Sequence, residues 1–305
     1  MSDAAKSKQT RRLPPTVAST LWVGLLLLGP VCLAPPDALA APIKVTVSIL
    51  PQEWFVEQVG GELVEVSVLV GPGHSPATYE PTPRQMAILE QADLFLAAGV
   101  PFEKGLVPRV EALPGAPQVA GPRPGHHGYH HDGHHHDIDP HTWLDPAQAM
   151  AMADTISLRL QILIPAEAET IEERCGSLKD HLAKIDKQAR DILAPYQGRT
   201  FFVFHPAFGH FAAAYGLVQV SVETGGHEPG PRHLADVIER ARALGIRSVI
   251  VQPQFSRKSA ETVAEAINAN IVVLDPLAAD YDTNLVHLAQ TLADLFAAES
   301  MKEGS

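Results

Sequence analysis

The chain has 305 residues, of which 46% are hydrophobic and 19% are charged, and its formal net charge is −12 at pH 7. This length can bury a large core and permits one large domain or two domains of medium size. The acidic balance argues against nucleic acid and anionic lipid as partners, and it suits a protein that attracts cations.

The first 40 residues have the pattern of an export signal. A basic start is followed by a mostly apolar run from Val17 to Leu28, and Ala38-Leu39-Ala40 supplies the small residues expected at a cleavage site. Gly29 and Pro30 break the apolar run too early for a membrane anchor. We therefore expect an exported, periplasmic protein.

The two cysteines bear on anchoring and on stability. Cys32 falls in the predicted signal, and Val31 before it does not match the small residue that lipid attachment prefers, so we do not expect a lipoprotein. Without residues 1–40 the chain has 19 Lys and Arg against 33 Asp and Glu, a formal charge of −14, and keeps only Cys175. A single cysteine cannot form an internal disulfide, so stability must come from the core.

Residues 41–145 alternate between strand and helix patterns, which predicts parallel βαβ units. The predicted strands are Ile43–Ile49, Val64–Val70 and Leu94–Ala98, and the predicted helices are Gln52–Val59 and Pro83–Ala92.

Residues 146–197 change character and predict a helical connector, because two long segments, Ala147–Leu163 and Ala166–Leu193, are apolar on one face and charged on the other. The alternation resumes in residues 198–305. The strands expected there are Thr200–His205, Val218–Val222, Ser248–Gln252 and Ile271–Leu274, and the helices are Phe208–Tyr215, Arg232–Leu244, Ser259–Ala269 and Thr283–Ala298. The sequence therefore predicts an α/β protein of two lobes, each a mostly parallel sheet flanked by helices.

A histidine-rich loop at residues 125–138 interrupts the first lobe. It mixes histidine with Gly, Asp and Tyr and has no apolar periodicity, so we expect it to form a loop with several weak, exchangeable metal sites. Its seven histidines are His126, His127, His130, His131, His134, His135 and His136.

Four further candidate metal ligands lie near the predicted strand ends. His74 follows the second strand, His141 follows the histidine-rich loop, and His205 and Asp275 end strands of the second lobe. Each alone has a plain structural explanation, such as a turn former before Pro276 for Asp275. Because ligands bind at the carboxyl ends of strands in open α/β sheets, the four together predict one metal site in a cleft between the lobes.

These residues lie in motifs that resemble a known family over about residues 43 to 298. The chain resembles the zinc-uptake branch of the cluster A-I metal-binding receptors, the ZnuA/TroA-like solute-binding proteins of ABC transporters. The resemblance implies two lobes joined by a long rigid helix, with one metal between them that is delivered to the membrane subunit of an ABC permease. The motifs are Tyr79-Glu80-Pro81-Thr82-Pro83, Asp139–Pro146 directly after the histidine-rich insert, Phe204–Leu217, Glu228-Pro229-Gly230 and Leu274-Asp275-Pro276-Leu277.

The family pattern also implies a ligand set. His141 and His205 match its ligand positions, and Asp275 falls where many members have a carboxylate, although others leave this place to water or another acid. The family usually has a histidine two residues before the tyrosine of Tyr-Glu-Pro. Here that residue is Ala77, and we expect a locally shifted loop to bring in His74 instead.

The donor types favour zinc. Three imidazoles and one carboxylate suit Zn²⁺, whereas manganese receptors of this architecture are expected to replace one histidine with a carboxylate. Cu²⁺ would bind such ligands still more tightly in vitro. We expect Glu80, Asp139 and Glu228 to orient the ligating imidazoles.

Three other functions compete with zinc uptake. They are a manganese or mixed-metal receptor of the same fold, a periplasmic zinc buffer or chaperone without a permease, and a zinc hydrolase with Glu228 as base. The chain has no HExxH motif, and Asp275 as a ligand would close the site to water. We therefore expect a monomeric receptor and not an enzyme.

Overall fold

The computed structural model describes residues 41–124, 139–223, 230–255 and 257–303. The predicted export signal at residues 1–40, the histidine-rich loop at residues 125–138 and Glu228 lie outside these residues.

The first sheet has four parallel strands in the order β2-β1-β3-β4. The central strand β1 has a continuous buried run from Val45 to Ile49, as expected for a strand that is covered on both faces. The elements of this lobe are β1 (Ile43–Ile49), α1 (Leu50–Gly60), β2 (Val64–Val70), α2 (Pro83–Leu89), β3 (Leu94–Leu96), α3 (Glu103–Glu111) and β4 (Gln118–Ala120).

Two long helices, α4 (Pro146–Leu163) and α5 (Ala168–Leu193), follow the first sheet, with a short 3-10 turn at Pro165–Glu167 between them. Asp145 caps α4 by accepting a hydrogen bond from the Ala147 amide, and Pro146 occupies the first turn, where no amide donor is needed. The 26 residues of α5 correspond to a length of about 39 Å. One face of α5 is buried at spacings of three and four residues, from Ile171 to Leu193.

The second sheet repeats the topology of the first, with parallel strands in the order β6-β5-β7-β8. The order reverses beside the first strand in both sheets, which is where open α/β sheets hold ligands. The elements of this lobe are β5 (Thr200–Val203), α6 (Gly209–Ala214), β6 (Val218–Ser221), α7 (Pro231–Ala243), β7 (Ser248–Val251), α8 (Arg257–Ile267), β8 (Asn270–Val273) and α9 (Tyr281–Glu303).

The core runs through both lobes. One apolar cluster contains Val47 of β1, Leu182 of α5, Val203 of β5 and Leu288 of α9. Two smaller clusters lie elsewhere in the lobes, one between the first sheet and α2 and α3, the other between the second sheet and α7 and α8. The two sheets therefore share one packed interior through the long helices.

The two-lobed parallel α/β fold is confirmed, and some element boundaries were wrong. The first strand of the second lobe ends at Val203, so His205 lies in the loop two residues beyond it. The closing helix α9 is longer than expected, and β4 and α3 were not expected at all. Both missed elements have weak patterns, because β4 has only three residues and α3 contains Pro108.

Candidate metal site

Several polar side chains lie along one edge of the second sheet, at the carboxyl ends of its strands. His205 lies two residues after β5, Glu223 two residues after β6, Gln252 directly after β7, and Asp275 two residues after β8. Because the four strands are parallel and adjacent, all four positions fall on the same edge of the sheet.

The ring of His205 is held from two sides. Its Nδ1 lies 3.0 Å from Oε2 of Glu223, whose side chain is only 3% exposed, and Phe255 stacks on the ring with centroids 4.6 Å apart. The backbone amide of His205 donates to Oε1 of the buried Gln252, and Nε2 of Gln252 donates back to the carbonyl of His205. A carboxylate at Nδ1 fixes the proton there, so Nε2 keeps the lone pair that a metal needs.

His141 has the same arrangement on the other side of the site. Its Nδ1 lies 2.6 Å from Oδ1 of Asp139, which also accepts the backbone amide of His141. Burial lowers the pKa of His141, so its ring is neutral at neutral pH. Burial opposes ionisation of Asp139, but the side-chain and backbone hydrogen bonds from His141 and the electrostatic attraction of His141 and His210 together outweigh it, so the pKa of this carboxyl is lowered. The pair therefore combines a neutral imidazole with an ionised carboxylate behind it.

The fold brings His141 and His205 together although 64 residues separate them. Their ring centroids lie 5.3 Å apart. Two imidazoles bound through Nε2 to one tetrahedral zinc, at Zn–N distances of about 2.0–2.1 Å, would have centroids about 5 Å apart. The spacing of this pair therefore fits two ligands of one zinc ion.

His74 lies in the loop after β2, in a recess of about 320 Å³ that is also lined by Tyr79 and Glu80. The side chain is exposed, and its ring meets that of Tyr79 edge to face with centroids 5.8 Å apart. Asp275 uses Oδ1 to accept hydrogen bonds from Gln254 and from the backbone amide of Leu277, which shapes the turn after β8.

No three His, Cys, Asp or Glu side chains in the described parts of the chain are grouped closely enough to hold a metal ion. The candidate site is thus built on the pair His141 and His205 with their carboxylates, and the ligand roles of His74, His141, His205 and Asp275 stay predictions. Of the residues expected to orient ligands, Asp139 contacts His141, Glu80 lies in the recess beside His74, and Glu228 is outside the described residues.

Contacts between the lobes surround the histidine pair. The indole of Trp143, edge to face with His141, donates from Nε1 to the carbonyl of Pro276, and the hydroxyl of Tyr281 donates to the carbonyl of Trp143. These buried hydrogen bonds join the segment after the histidine-rich loop to the turn after β8 and to the start of α9. The position of His141 is therefore tied to the second lobe.

Glu223, Gln252 and Phe255 were not predicted from the sequence. Glu223 and Gln252 have a detectable signal, since each is a polar residue at the end of an apolar strand, where the side chain enters the ligand edge. The sequence predicted Glu228 in this role instead, because Glu228 lies in a recognisable motif. Phe255 has no such signal, because its contact with His205 arises only when the loops after β5 and β7 meet.

Comparison with known proteins identifies the family of this chain and its fold. The family model described as zinc-uptake complex component A, periplasmic, matches residues 45–295. A crystal structure of ZnuA is 35% identical with a TM-score of 0.77, covering 83% of this chain and 99% of that one. A ZnuA deletion mutant with zinc bound is also 35% identical, with a TM-score of 0.76, and 83% of this chain and 98% of that chain are covered. The zinc-binding lipoprotein AdcA of Streptococcus pneumoniae is 28% identical over 77% of this chain and 50% of that longer protein.

The family match and the fold place this chain among the metal-binding receptor components of ABC transporters, of the extracytoplasmic solute-binding class. The chain belongs to the periplasmic ZnuA family of zinc-uptake components. Within the described residues, no helix combines the length and apolar character needed to span a membrane.

Proposed function

We propose that this protein captures Zn²⁺ outside the cytoplasm, holds it with His141 and His205, and delivers it to the membrane subunit of an ABC permease. His74 and Asp275 complete the ligand set, and zinc is the cargo rather than a resident cofactor. The observation that carries the proposal is the pair of imidazoles, 5.3 Å apart, each bonded through Nδ1 to a carboxylate.

The chemistry of this pair supports zinc over manganese. Neutral imidazole is a borderline ligand that suits Zn²⁺, whereas Mn²⁺ prefers carboxylate and water oxygens. Asp139 and Glu223 would act from behind, by fixing the tautomers of His141 and His205 and raising their basicity. The zinc bound to a deletion mutant of the related ZnuA also supports this choice of metal.

The test is a competition titration of chelator-stripped protein (residues 41–305) with a coloured zinc chelator. We expect one tight zinc per chain, lost in His141→Ala and in His205→Ala. The control is His181→Ala, which removes a surface ring that contacts Asp282. This variant should keep the tight zinc. Displacement of zinc by an equal concentration of Mn²⁺ would instead indicate a manganese or mixed-metal receptor.

The role proposed for the histidine-rich loop can be separated from the tight site. Replacing its seven histidines with glutamine keeps the length of the loop but removes the imidazoles. We expect the variant to lose only the additional weak zinc sites. Loss of the tight site as well would contradict the proposal that the loop and the tight site bind zinc independently.

Delivery to a permease needs a cellular test. A strain that lacks its own zinc receptor, supplied with this protein and its cognate permease, should grow under zinc limitation only when His141 and His205 are intact. Equal growth without the permease would favour a zinc buffer or chaperone.

A further inference from the structure

His210 of α6 makes two hydrogen bonds that cross from the second lobe to the segment around His141. Its Nε2 lies 3.0 Å from the backbone carbonyl of Asp139, and its Nδ1 lies 2.9 Å from Nε2 of Gln148. Both ring nitrogens therefore have defined polar partners in the other part of the site.

The partners determine which nitrogen carries the proton. The Asp139 carbonyl can only accept, so Nε2 of His210 donates, and Nδ1 accepts from the Gln148 amide. The amide orientation is supported by a second contact, because the same Gln148 nitrogen lies 3.1 Å from Oδ2 of Asp145. Both ring nitrogens of His210 are thus engaged in hydrogen bonds, which excludes it as a metal ligand in this arrangement.

The residue that His210 holds is the one that orients His141. Asp139 accepts the backbone amide and the ring Nδ1 of His141 through the same oxygen, Oδ1. Its other oxygen lies against the start of α6, where a Cβ on Gly209 would come within 2.5 Å of Oδ2. The carbonyl and the carboxylate of Asp139 are therefore both set by α6 of the second lobe.

We propose that His210 is a positioning residue of the metal site. By donating from Nε2 to the Asp139 carbonyl, it holds residues 139–141 against the second lobe and slows release of the metal. The inference rests on the zinc-binding function proposed above. It adds a connection between the two ligands, since the segment from His205 to His210 supplies one ligand and also holds the residue that orients the other.

Two amide substitutions, each of which mimics one ring nitrogen of His210, separate the positioning role from a packing role. In His210→Gln the terminal amide nitrogen takes the place of Nε2 and keeps the donor to Asp139. In His210→Asn the shorter side chain keeps a polar group near the position of Nδ1 but cannot reach Asp139. His181→Asn, on the exposed face of α5, is the matched control.

The measurement is the rate of zinc release to excess chelator in a stopped-flow instrument, together with urea unfolding of the metal-free proteins. We expect His210→Asn to release zinc on the order of tenfold faster, in the range found for the supports of metal ligands. His210→Gln should stay within about twofold of the wild type, and His181→Asn should release at the wild-type rate.

A purely structural role would lower the unfolding midpoint of His210→Asn without changing zinc release, and this result would overturn the proposal. Equal acceleration by Asn and Gln would also overturn it, because the Nε2 donor would then not be the group that matters. If His210→Asn does not fold, Gln148→Met removes the fixed tautomer but leaves the ring in place. It should still speed release, and an unchanged rate would contradict the proposal.

Failure of the positioning role is distinguishable from failure of the proposed function. If the wild type holds one tight zinc that His141→Ala loses, but His210→Asn releases zinc at the wild-type rate, only the positioning role fails. If the wild type holds no tight zinc, the function itself fails.

Discussion

At the scale of single residues, the presentation of each imidazole depends on the carboxylate behind it. Asp139 and Glu223 bind Nδ1 of His141 and His205, which leaves Nε2 of both rings as the atom available for the proposed metal. Glu223 is almost fully buried, and its Oε1 has no hydrogen-bond partner among the described residues. A buried carboxylate oxygen without a hydrogen-bond partner is costly, which makes Glu223 a candidate for a role in the site.

Glu223→Gln should therefore weaken zinc binding without removing a ligand. The amide can donate to Nδ1 of His205 and favour the wrong tautomer, so we expect a loss of about 10- to 100-fold in affinity. Competition titration measures it, with the exposed Glu62→Gln as control. Wild-type affinity in Glu223→Gln would show that the carboxylate does not tune the site.

The sequence predicted one of these two carboxylates. Asp139 could be found because it lies two residues from His141 in the same short motif. Glu223 could not be assigned to His205 from 18 residues away, because the contact depends on β5 and β6 being adjacent and in register. Local spacing identifies local partners, and the register of a sheet identifies the others.

At the scale of elements, the strands with long β-branched runs and the amphipathic helices were predictable, whereas short elements were not. β1 and β2 have the bounds that their apolar runs predict, because seven residues of mostly β-branched sequence leave little ambiguity. In α3, Gly105 and Pro108 weaken the helical pattern. The start of α3 nevertheless matters, because both oxygens of Glu103 accept backbone amides, those of Ala98 and Gly99 after β3.

Glu103 predicts a pH dependence of folding stability. Burial raises the pKa of Glu103 from 4.5 to about 7, so the folded chain binds a proton in this window that the unfolded chain does not. Stability should therefore fall as pH rises from 4.5 to about 7, with a contribution of about 3 kcal/mol.

Urea unfolding of the metal-free protein across this pH range measures the effect. In Glu103→Gln, the decrease in unfolding free energy over this pH range should be smaller by the contribution of Glu103. The variant also loses one hydrogen-bond acceptor, so it should be less stable at every pH. Parallel pH profiles for the two proteins would contradict the assignment.

Two helical glycines provide a matched test of the close approach between α6 and Asp139. A Cβ on Gly209 would meet Asp139, whereas a Cβ on Gly176 of α5 would meet nothing within 4 Å. Gly176→Ala should stabilise the protein by about 1 kcal/mol through helix propensity and leave zinc binding unchanged. Gly209→Ala must displace Asp139 and should weaken zinc binding by about tenfold. Equal zinc affinity in the two variants, measured by competition titration, would contradict the close approach.

At the scale of the whole molecule, both lobes and the long helices share one apolar cluster, and the candidate metal site lies where the lobes meet. The repeat of one strand order in both sheets explains why ligand edges recur in each lobe. The alternating strand and helix patterns made the two lobes predictable. The contacts between the lobes were not predictable, because they join residues that are distant in sequence. The hydrogen bond from Trp143 to Pro276, for example, joins residues 133 positions apart.

The central claim is that imidazoles from the two parts of the fold bind one zinc ion. Its most direct test is a crystal structure of the zinc-loaded protein, with the metal located by anomalous scattering at the zinc edge. We predict one strong zinc peak within about 2.0–2.1 Å of Nε2 of both His141 and His205. A tightly bound zinc elsewhere, with these two rings unligated, would contradict the account.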